Sequence, residues 1–255
     1  MDIAELREGA DAFRKSLNKK KLEIAPAGFW YPYDILANFT HLQLLLTGDN
    51  RDLFTKIQGG MIADIGSADG DTAFFLESIG NSVHIIDNPP TNWNGLAGAE
   101  KLRTALNSAV KIHAIDLDSK FQLPSSNYRL AIFLGVLYHL KNPYYALEQL
   151  ARGADYCLLS TKIARYAPDR LTEIRNTSLA YFLMSQEANN DPTNYWIFSE
   201  TSLRRIIERC GWIIEGFLTV GDTVGSDPVS PNHDERAFCL LKSKTRSGEL
   251  GAASN

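Results

Sequence analysis

The 255-residue chain has only three cysteines, Cys157, Cys210 and Cys239, and none are in a CxxC spacing. Widely separated and set among apolar residues, they exclude a disulfide framework and predict reduced core thiols in a cytoplasmic protein. Long apolar runs are also missing. None approaches the roughly 20 residues a membrane-spanning helix requires, so no membrane span is expected. The charged start Met1-Asp-Ile-Ala-Glu-Leu-Arg-Glu contains no secretory h-region. A surplus of positive charge is absent too. A net charge of −4 gives no global attraction to nucleic acid, although it leaves room for a local basic patch. The five histidines are scattered, and no metal site is predicted. No internal repeat is present. The remainder, 44% hydrophobic and 22% charged, is ordinary globular composition.

The most informative stretch is Met61-Ile-Ala-Asp-Ile-Gly-Ser-Ala-Asp-Gly-Asp71, followed at once by the helical pattern Thr72-Ala-Phe-Phe-Leu76. A short buried strand, a glycine turn and a helix form the opening unit of a nucleotide-type α/β fold. Gly66 and Gly70 let the backbone bend sharply and approach a ligand. Such a loop often cradles a pyrophosphate, yet Asp64, Asp69 and Asp71 would repel one. Three acids suit a cationic ligand, which points to S-adenosylmethionine rather than NAD or ATP. The spacing after Gly66 also departs from GxGxxG, which disfavours a dehydrogenase.

From residue 61 the chain alternates strand and helix, the mark of a parallel sheet with helices on both faces. Strands are predicted at 61–65, 82–87, 110–114, 129–134 and 155–160, with helices at 71–79, 95–107 and 143–152. A helix at 199–210 has Ser199 as its N-cap. Two last strands, 212–220 and 236–242, would pair antiparallel because no helix connects them. The expected class is therefore α/β: a Rossmann-like, doubly wound, mostly parallel seven-stranded sheet with an antiparallel last strand. To this are added an N-terminal helical and aromatic lid segment (1–58), a helical cap insertion (162–198) within the 59–243 domain, and a disordered tail (244–255).

Residues 2–18 fit an amphipathic helix whose apolar face holds Ile3, Leu6, Ala10, Phe13 and Leu17, and would suit its own core or a homo-oligomer. Lys19-Lys-Lys21 reads better as a solvated helix end than as a phosphate contact. The loop Phe29-Trp-Tyr-Pro-Tyr33 either packs over the core or forms a lid over a ligand; Tyr31 and Tyr33 are candidate substrate contacts.

In such a sheet, ligands sit beyond the C-terminal strand ends. The first end offers Asp64 and the glycine loop. The second offers Asp87, 17 residues past Gly70 and placed to accept from ribose hydroxyls. The third offers Asp116, placed to accept from an adenine amino group. The fourth opens at Gly135 into Val136-Leu-Tyr-His139. Any one of these fits an ordinary loop. Four in the right order are hard to obtain by chance.

On these motifs residues 61–242 resemble the class I S-adenosylmethionine-dependent methyltransferases. Gly135-Val-Leu-Tyr-His139, Asn142-Pro143 and the Phe29–Tyr33 lead-in are similar to the branch that contains the wobble-uridine tRNA carboxymethyltransferase. The resemblance implies that Gly66, Ser67, Gly70, Asp87, Asp116, Leu117 and Gly135 line a cofactor pocket, with Asp64 and Asp69 beside them. His139 is the candidate general base and Tyr138 a weaker one; the alternative is a turn histidine that bonds the backbone. Arg165, Tyr181 and Tyr195 in the cap are candidate acceptor contacts, where arginines would clamp an anionic group or stand solvated. The expected partner is a small-molecule acceptor methylated on oxygen or nitrogen. A tRNA acceptor and a non-catalytic cofactor-binding subunit are the alternatives.

Overall fold

The computed structural model describes residues 1–246, which form two compact units. The first comprises Met1–Asp116 with Asn127–Ile132, and the second Leu117–Ser126 with the chain from Phe133 onward.

In the first unit, the helix α1 (Ile3–Ile24) starts on a capping box between Asp2 and Glu5 and buries Ile3, Leu6, Ala10, Leu17 and Lys21. It packs on α2 (Asn38–Leu45), α4 (Asp71–Ser78) and α5 (Ala97–Ala105). The short α3 (Leu53–Lys56) precedes the sheet. Of the two readings of the apolar face of α1, packing on its own core is the one seen in this unit. Four parallel strands follow in the order β3 (Lys111–Ala114), β2 (Ser82–Asp87), β1 (Met61–Ile65), β4 (Tyr128–Leu134). Residues 62–65 of β1 are all buried, so the strand is covered on both faces instead of alternating, and residues 71–76 of α4 are buried as well.

In the second unit, β5 (Ala154–Ala164) pairs parallel with β7 (Trp196–Ser199) and antiparallel with β9 (Glu235–Ser243). β6 (Ala180–Phe182) joins β7 and β8 (Trp212–Gly221) joins β9, both antiparallel. α6 (Pro143–Gly153) starts on the Asn142 cap with Pro143 in its first turn. α7 (Glu200–Arg209) starts on Ser199, whose hydroxyl accepts from Ser202 N. The fully buried Trp212 donates its indole N–H to Leu147 O at 3.0 Å. All three cysteines are free and buried.

The fold class is Rossmann-like α/β, a mostly parallel mixed sheet of nine strands where seven were expected. The two extra strands, β6 and β7, arise from the 162–198 segment, and this segment holds no helix. The reason is local. Asp169 takes the Leu171 and Thr172 backbone N–H groups at 2.9 Å and the Thr172 hydroxyl at 2.7 Å, competing with helical hydrogen bonds. Arg170 adopts φ +57°. Of the predicted disordered tail, residues 247–255 lie outside the described residues. Residues 244–246 form a turn in which Lys244 N bonds Gly211 O and Arg246 pairs with Asp155.

Candidate functional site

In the first unit, the glycine loop leaves β1 and enters α4 with Gly66, Ala68 and Gly70 all at positive φ (65°, 53° and 86°). Gly70 has no room for a side chain, because a Cβ there would meet Ile85 Cδ1 at 2.7 Å. Asp87 ties the loop to the end of β2. Its Oδ2 accepts from Ala68 N at 3.1 Å and Asn92 Nδ2 at 2.9 Å, and its Oδ1 from Asn88 N at 2.7 Å. Burial raises its pKa against these bonds. Ile115 N donates to Asp87 O, which brings the end of β3 and the exposed Asp116 to the same edge.

Asp64 is buried at the end of β1. Burial, with Asp87 and Asp71 adding repulsion, pushes its carboxyl up to about 8. Its Oδ2 and the Ser67 Oγ are buried with no hydrogen-bond partner among the described residues. Orphaned polar atoms of this kind are rare in a folded protein, and here one is near the end of β1 and the other on the loop expected to meet a polar ligand.

The other two acids behave differently from the sequence-based expectation. Lys21, read as part of a solvated helix end, is only 7% exposed. Its Nζ lies 3.2 Å from Asp69 Oδ2 and 2.7 Å from Asp71 Oδ1, and 5.3 Å from the centroid of the Trp30 ring. Asp69 also accepts from Tyr31 N at 2.8 Å and Asn94 Nδ2 at 2.8 Å. A Cβ on Gly98 would collide with its Oδ1. Asp69 is therefore a junction between the glycine loop, the aromatic loop and α5, and both its oxygens are engaged within the chain. The aromatic loop is anchored at Tyr31, whose ring lies 5.4 Å from that of the exposed Tyr33.

Sequence reasoning missed Lys21, Asn92 and Asn94. Asn92 Nδ2 bridges Ala68 O and Asp87, while its Oδ1 accepts from Leu96 N. Asn94 bridges Asp69 and Gly98 N. A signal for Lys21 was present: it falls four residues past Leu17 on the apolar stripe of α1.

In the second unit, Gly135 (φ +76°) follows the last residue of β4; its N–H donates to Ser160 O, and a Cβ there would meet Arg236 Nη1 at 3.6 Å. Leu117 is buried. Tyr138 and His139 follow in a single 3₁₀ turn with ring centroids 4.1 Å apart. Tyr195 N donates to Tyr138 O at 2.8 Å, so three of the candidate residues, Tyr138, His139 and Tyr195, lie together. His139 Nδ1 lies 2.9 Å from Thr193 Oγ1 and 3.2 Å from Thr193 O. Burial lowers its pKa, Asp191 opposes this, and Arg236 and Lys162 add to it. Asp234 is shared by Lys162 at 2.8 Å and Arg236 at 3.4 Å.

Arg165 and Tyr181 are committed elsewhere in this unit. Arg165 Nε donates to Glu235 Oε2 at 2.9 Å and Nη2 to Oε1 at 2.6 Å, both side chains being buried; Arg165 is thus in an internal ion pair and not solvated. Tyr181 OH donates to Glu187 at 2.9 Å. No group of three or more His, Cys, Asp or Glu side chains among the described residues is placed to hold a metal ion, and no helix among them is long and apolar enough to cross a membrane.

Against known proteins, no family model matches the chain, and no curated protein matches it. Solved structures do. The N-terminal domain of EvdMO1, crystallised in the presence of SAH and D-fucose, superposes with TM-score 0.55 at 14% identity, over 90% of this chain and 97% of that one. An S-adenosylmethionine-dependent methyltransferase from Mesorhizobium loti gives TM-score 0.53 at 13% identity, covering 81% and 97%. The fold is shared with S-adenosylmethionine-dependent methyltransferases. It is shared equally with the [4+2]-cyclase SpnF, at TM-score 0.56 and 11% identity over 84% and 85%. A fold alone does not specify a reaction; the site residues must do so.

Proposed function

We propose that this chain is an S-adenosylmethionine-dependent methyltransferase acting on an oxygen or nitrogen of a small-molecule acceptor. The observation that carries the proposal is the edge of the first unit's sheet. Two orphaned buried polar atoms, Asp64 Oδ2 near the end of β1 and Ser67 Oγ in the positive-φ glycine loop that follows, stand there with Asp87 at the following strand end. A cationic, hydroxylated adenosyl compound would meet that set: the unpaired Asp64 carboxyl, whose ionised form a positive ligand would favour against burial, Asp87 for ribose hydroxyls, and Asp116 for the adenine amino group. Gly66, Ser67 and Gly70 would approach it through the backbone. Asp69 belongs to the scaffold that holds this loop. When bound, the cofactor supplies a methyl group on a sulfonium.

An oxygen or nitrogen acceptor then needs a base, and His139 is assigned that role. Its pKa is held below the ordinary histidine value chiefly by burial, which keeps the ring neutral and able to take a proton at pH 7. Tyr138 and Tyr195 are assigned to the acceptor side, as are Tyr31 and Tyr33. The EvdMO1 neighbour crystallised with D-fucose makes sugar-like hydroxylated acceptors the first to try.

The tRNA reading relied on Lys19, Lys20, Lys21 and the arginines of residues 162–198. Lys21 is buried on two aspartates, Lys20 pairs with Glu23, Arg165 with Glu235, and Arg175 with Glu200. Charges neutralised inside the chain give little phosphate attraction. A cofactor-binding subunit without turnover differs in forming no S-adenosylhomocysteine.

Mass-spectrometric detection of S-adenosylhomocysteine across an acceptor panel tests the proposal. An active acceptor with the wild type, and turnover reduced about 10²- to 10⁴-fold in His139→Ala, is the expected result for loss of a general base. Cofactor binding should be intact in that variant. No product from any acceptor would count against transfer activity, and unchanged turnover in His139→Ala would remove the base assignment.

A further inference from the structure

The loop 188–194 of the second unit has a conformation that ordinary loop packing does not require. Ala188, Asn189 and Asn190 occupy the left-handed region in succession, at φ 47°, 70° and 56°. Non-glycine residues adopt this region rarely, and such runs concentrate where the surroundings enforce them for a purpose. Asn194 Nδ2 closes the loop on Ala188 O at 2.9 Å. Asn194 N bonds Asp191 O, and Tyr195 N fastens the loop's end to Tyr138 O in the turn that carries His139.

The closed loop sets up a chain of three side chains. Asp191 Oδ1 accepts from Thr193 N at 2.9 Å and from Thr193 Oγ1 at 2.6 Å. A carboxylate oxygen only accepts, so the Thr193 hydroxyl spends its single proton on Asp191. Thr193 Oγ1 can then only accept at its 2.9 Å contact with His139 Nδ1. The second contact of that nitrogen is the Thr193 carbonyl oxygen at 3.2 Å, which also only accepts. Both partners therefore require a proton on Nδ1. Neutral imidazole carries one N–H, so Nε2 has the free lone pair, and Nε2 has no hydrogen-bond partner among the described residues.

We propose that Asp191 and Thr193 are positioning residues that lock His139 in the Nδ1–H tautomer and present Nε2 as the proton acceptor. The tautomer follows from the contacts alone; that the proton comes from a methyl acceptor rests on the function proposed above. In the proton step, the acceptor's O–H or N–H bond breaks and its electron pair stays on the acceptor atom. The proton bonds to Nε2. The resulting imidazolium keeps its Nδ1 proton on Thr193, and the Asp191 charge stabilises it through a hydroxyl that transfers no proton. The charged and titratable groups facing His139 are Tyr138 on its own turn, Asp191 on the loop, Lys162 on β5 and Arg236 on β9. Asp191 is the one whose charge favours the imidazolium; the two cations oppose it.

Long-range ¹H–¹⁵N spectra of the full chain test this without any acceptor, with His139→Gln identifying the resonance among five histidines. The wild type should give protonated Nδ1 and bare Nε2. Thr193→Val, which retains only the carbonyl contact, should give mixed tautomers, and Thr193→Ser should restore the wild-type spectrum. Asp191→Asn should move the His139 titration to lower pH, because the charge that favours the imidazolium is gone. Once an acceptor is known, Thr193→Val should lower turnover on the order of 10- to 100-fold, the scale on which orienting partners of a histidine act. A wild-type Nε2–H tautomer, or a Thr193→Val spectrum and titration indistinguishable from wild type, would overturn the proposal. Failure of the wild type to form S-adenosylhomocysteine would sink the methyltransferase reading and leave the tautomer result standing.

Discussion

Lys21→Met removes one ammonium from the interior of the first unit and keeps the length of the side chain. The Lys21, Asp69 and Asp71 side chains are 9%, 1% and 11% exposed, and the ammonium lies 3.2 Å and 2.7 Å from its two partners. Removing one member of a buried ion cluster costs about 3–5 kcal/mol, because the remaining charge is neither paired nor hydrated. Asp69 retains Tyr31 N and Asn94 Nδ2, so the penalty concentrates on Asp71. Burial already raises the pKa of Asp71, with Lys21 pulling it down. Without Lys21 that carboxyl rises further and the folded state binds a proton that the unfolded chain releases. The stability deficit should therefore be largest near pH 8 and shrink as pH falls toward the ordinary carboxylate range. For a chain of this size, about 2–4 °C per kcal/mol translates the deficit into a Tm drop of roughly 6–20 °C. Urea unfolding and thermal melts at pH 8 and pH 5 give the numbers, and adding Asp71→Asn to Lys21→Met should recover part of the loss. A deficit below about 1 kcal/mol, the range of exposed pairs, or no recovery with Asp71→Asn, would refute this reasoning.

Arg165→Ala leaves the fully buried Glu235 without its bidentate partner and should cost about 3–5 kcal/mol in urea unfolding. If Arg165 were instead an acceptor clamp, KM would rise while stability held. For Asp64, the folded carboxyl titrates at about 8 against an ordinary value near 3.8. Its contribution to stability is complete below the lower value and is lost as pH rises through the upper one. Asp64→Asn should flatten the decline in stability between pH 5 and pH 8; parallel wild-type and variant curves would contradict that.

The sheet was legible in the sequence because buried strands and glycine turns have strong local signals. Ile62 to Ile65 and the loop behind them could hardly be read otherwise. All seven expected strands are present near their predicted bounds. The 162–198 segment was misread as helical because its apolar spacing ignored Asp169, which satisfies two backbone N–H groups before any helix can propagate. Side-chain partners were the least legible part. Lys21 meets residues 48 and 50 positions away, and a lysine after two other lysines looks solvated until the apolar stripe of α1 is extended to it. His139 was singled out by its place after the fourth strand, whereas Thr193 and Asp191, more than fifty residues on, have no local signature. Neither reading of Arg165, clamp or solvated, named its buried partner, since nothing near it in sequence announces Glu235.

Isothermal titration of S-adenosylmethionine into the wild type and Asp87→Ala tests the cofactor assignment most directly. The account expects micromolar capture by the wild type, roughly −8 kcal/mol. In the variant, loss of the Ala68 anchor and of the ribose acceptor should weaken it on the order of 10- to 100-fold, as bonds to a charged group are worth about 1.5–3 kcal/mol. No heat with the wild type at millimolar cofactor, or equal affinity in Asp87→Ala, would contradict it.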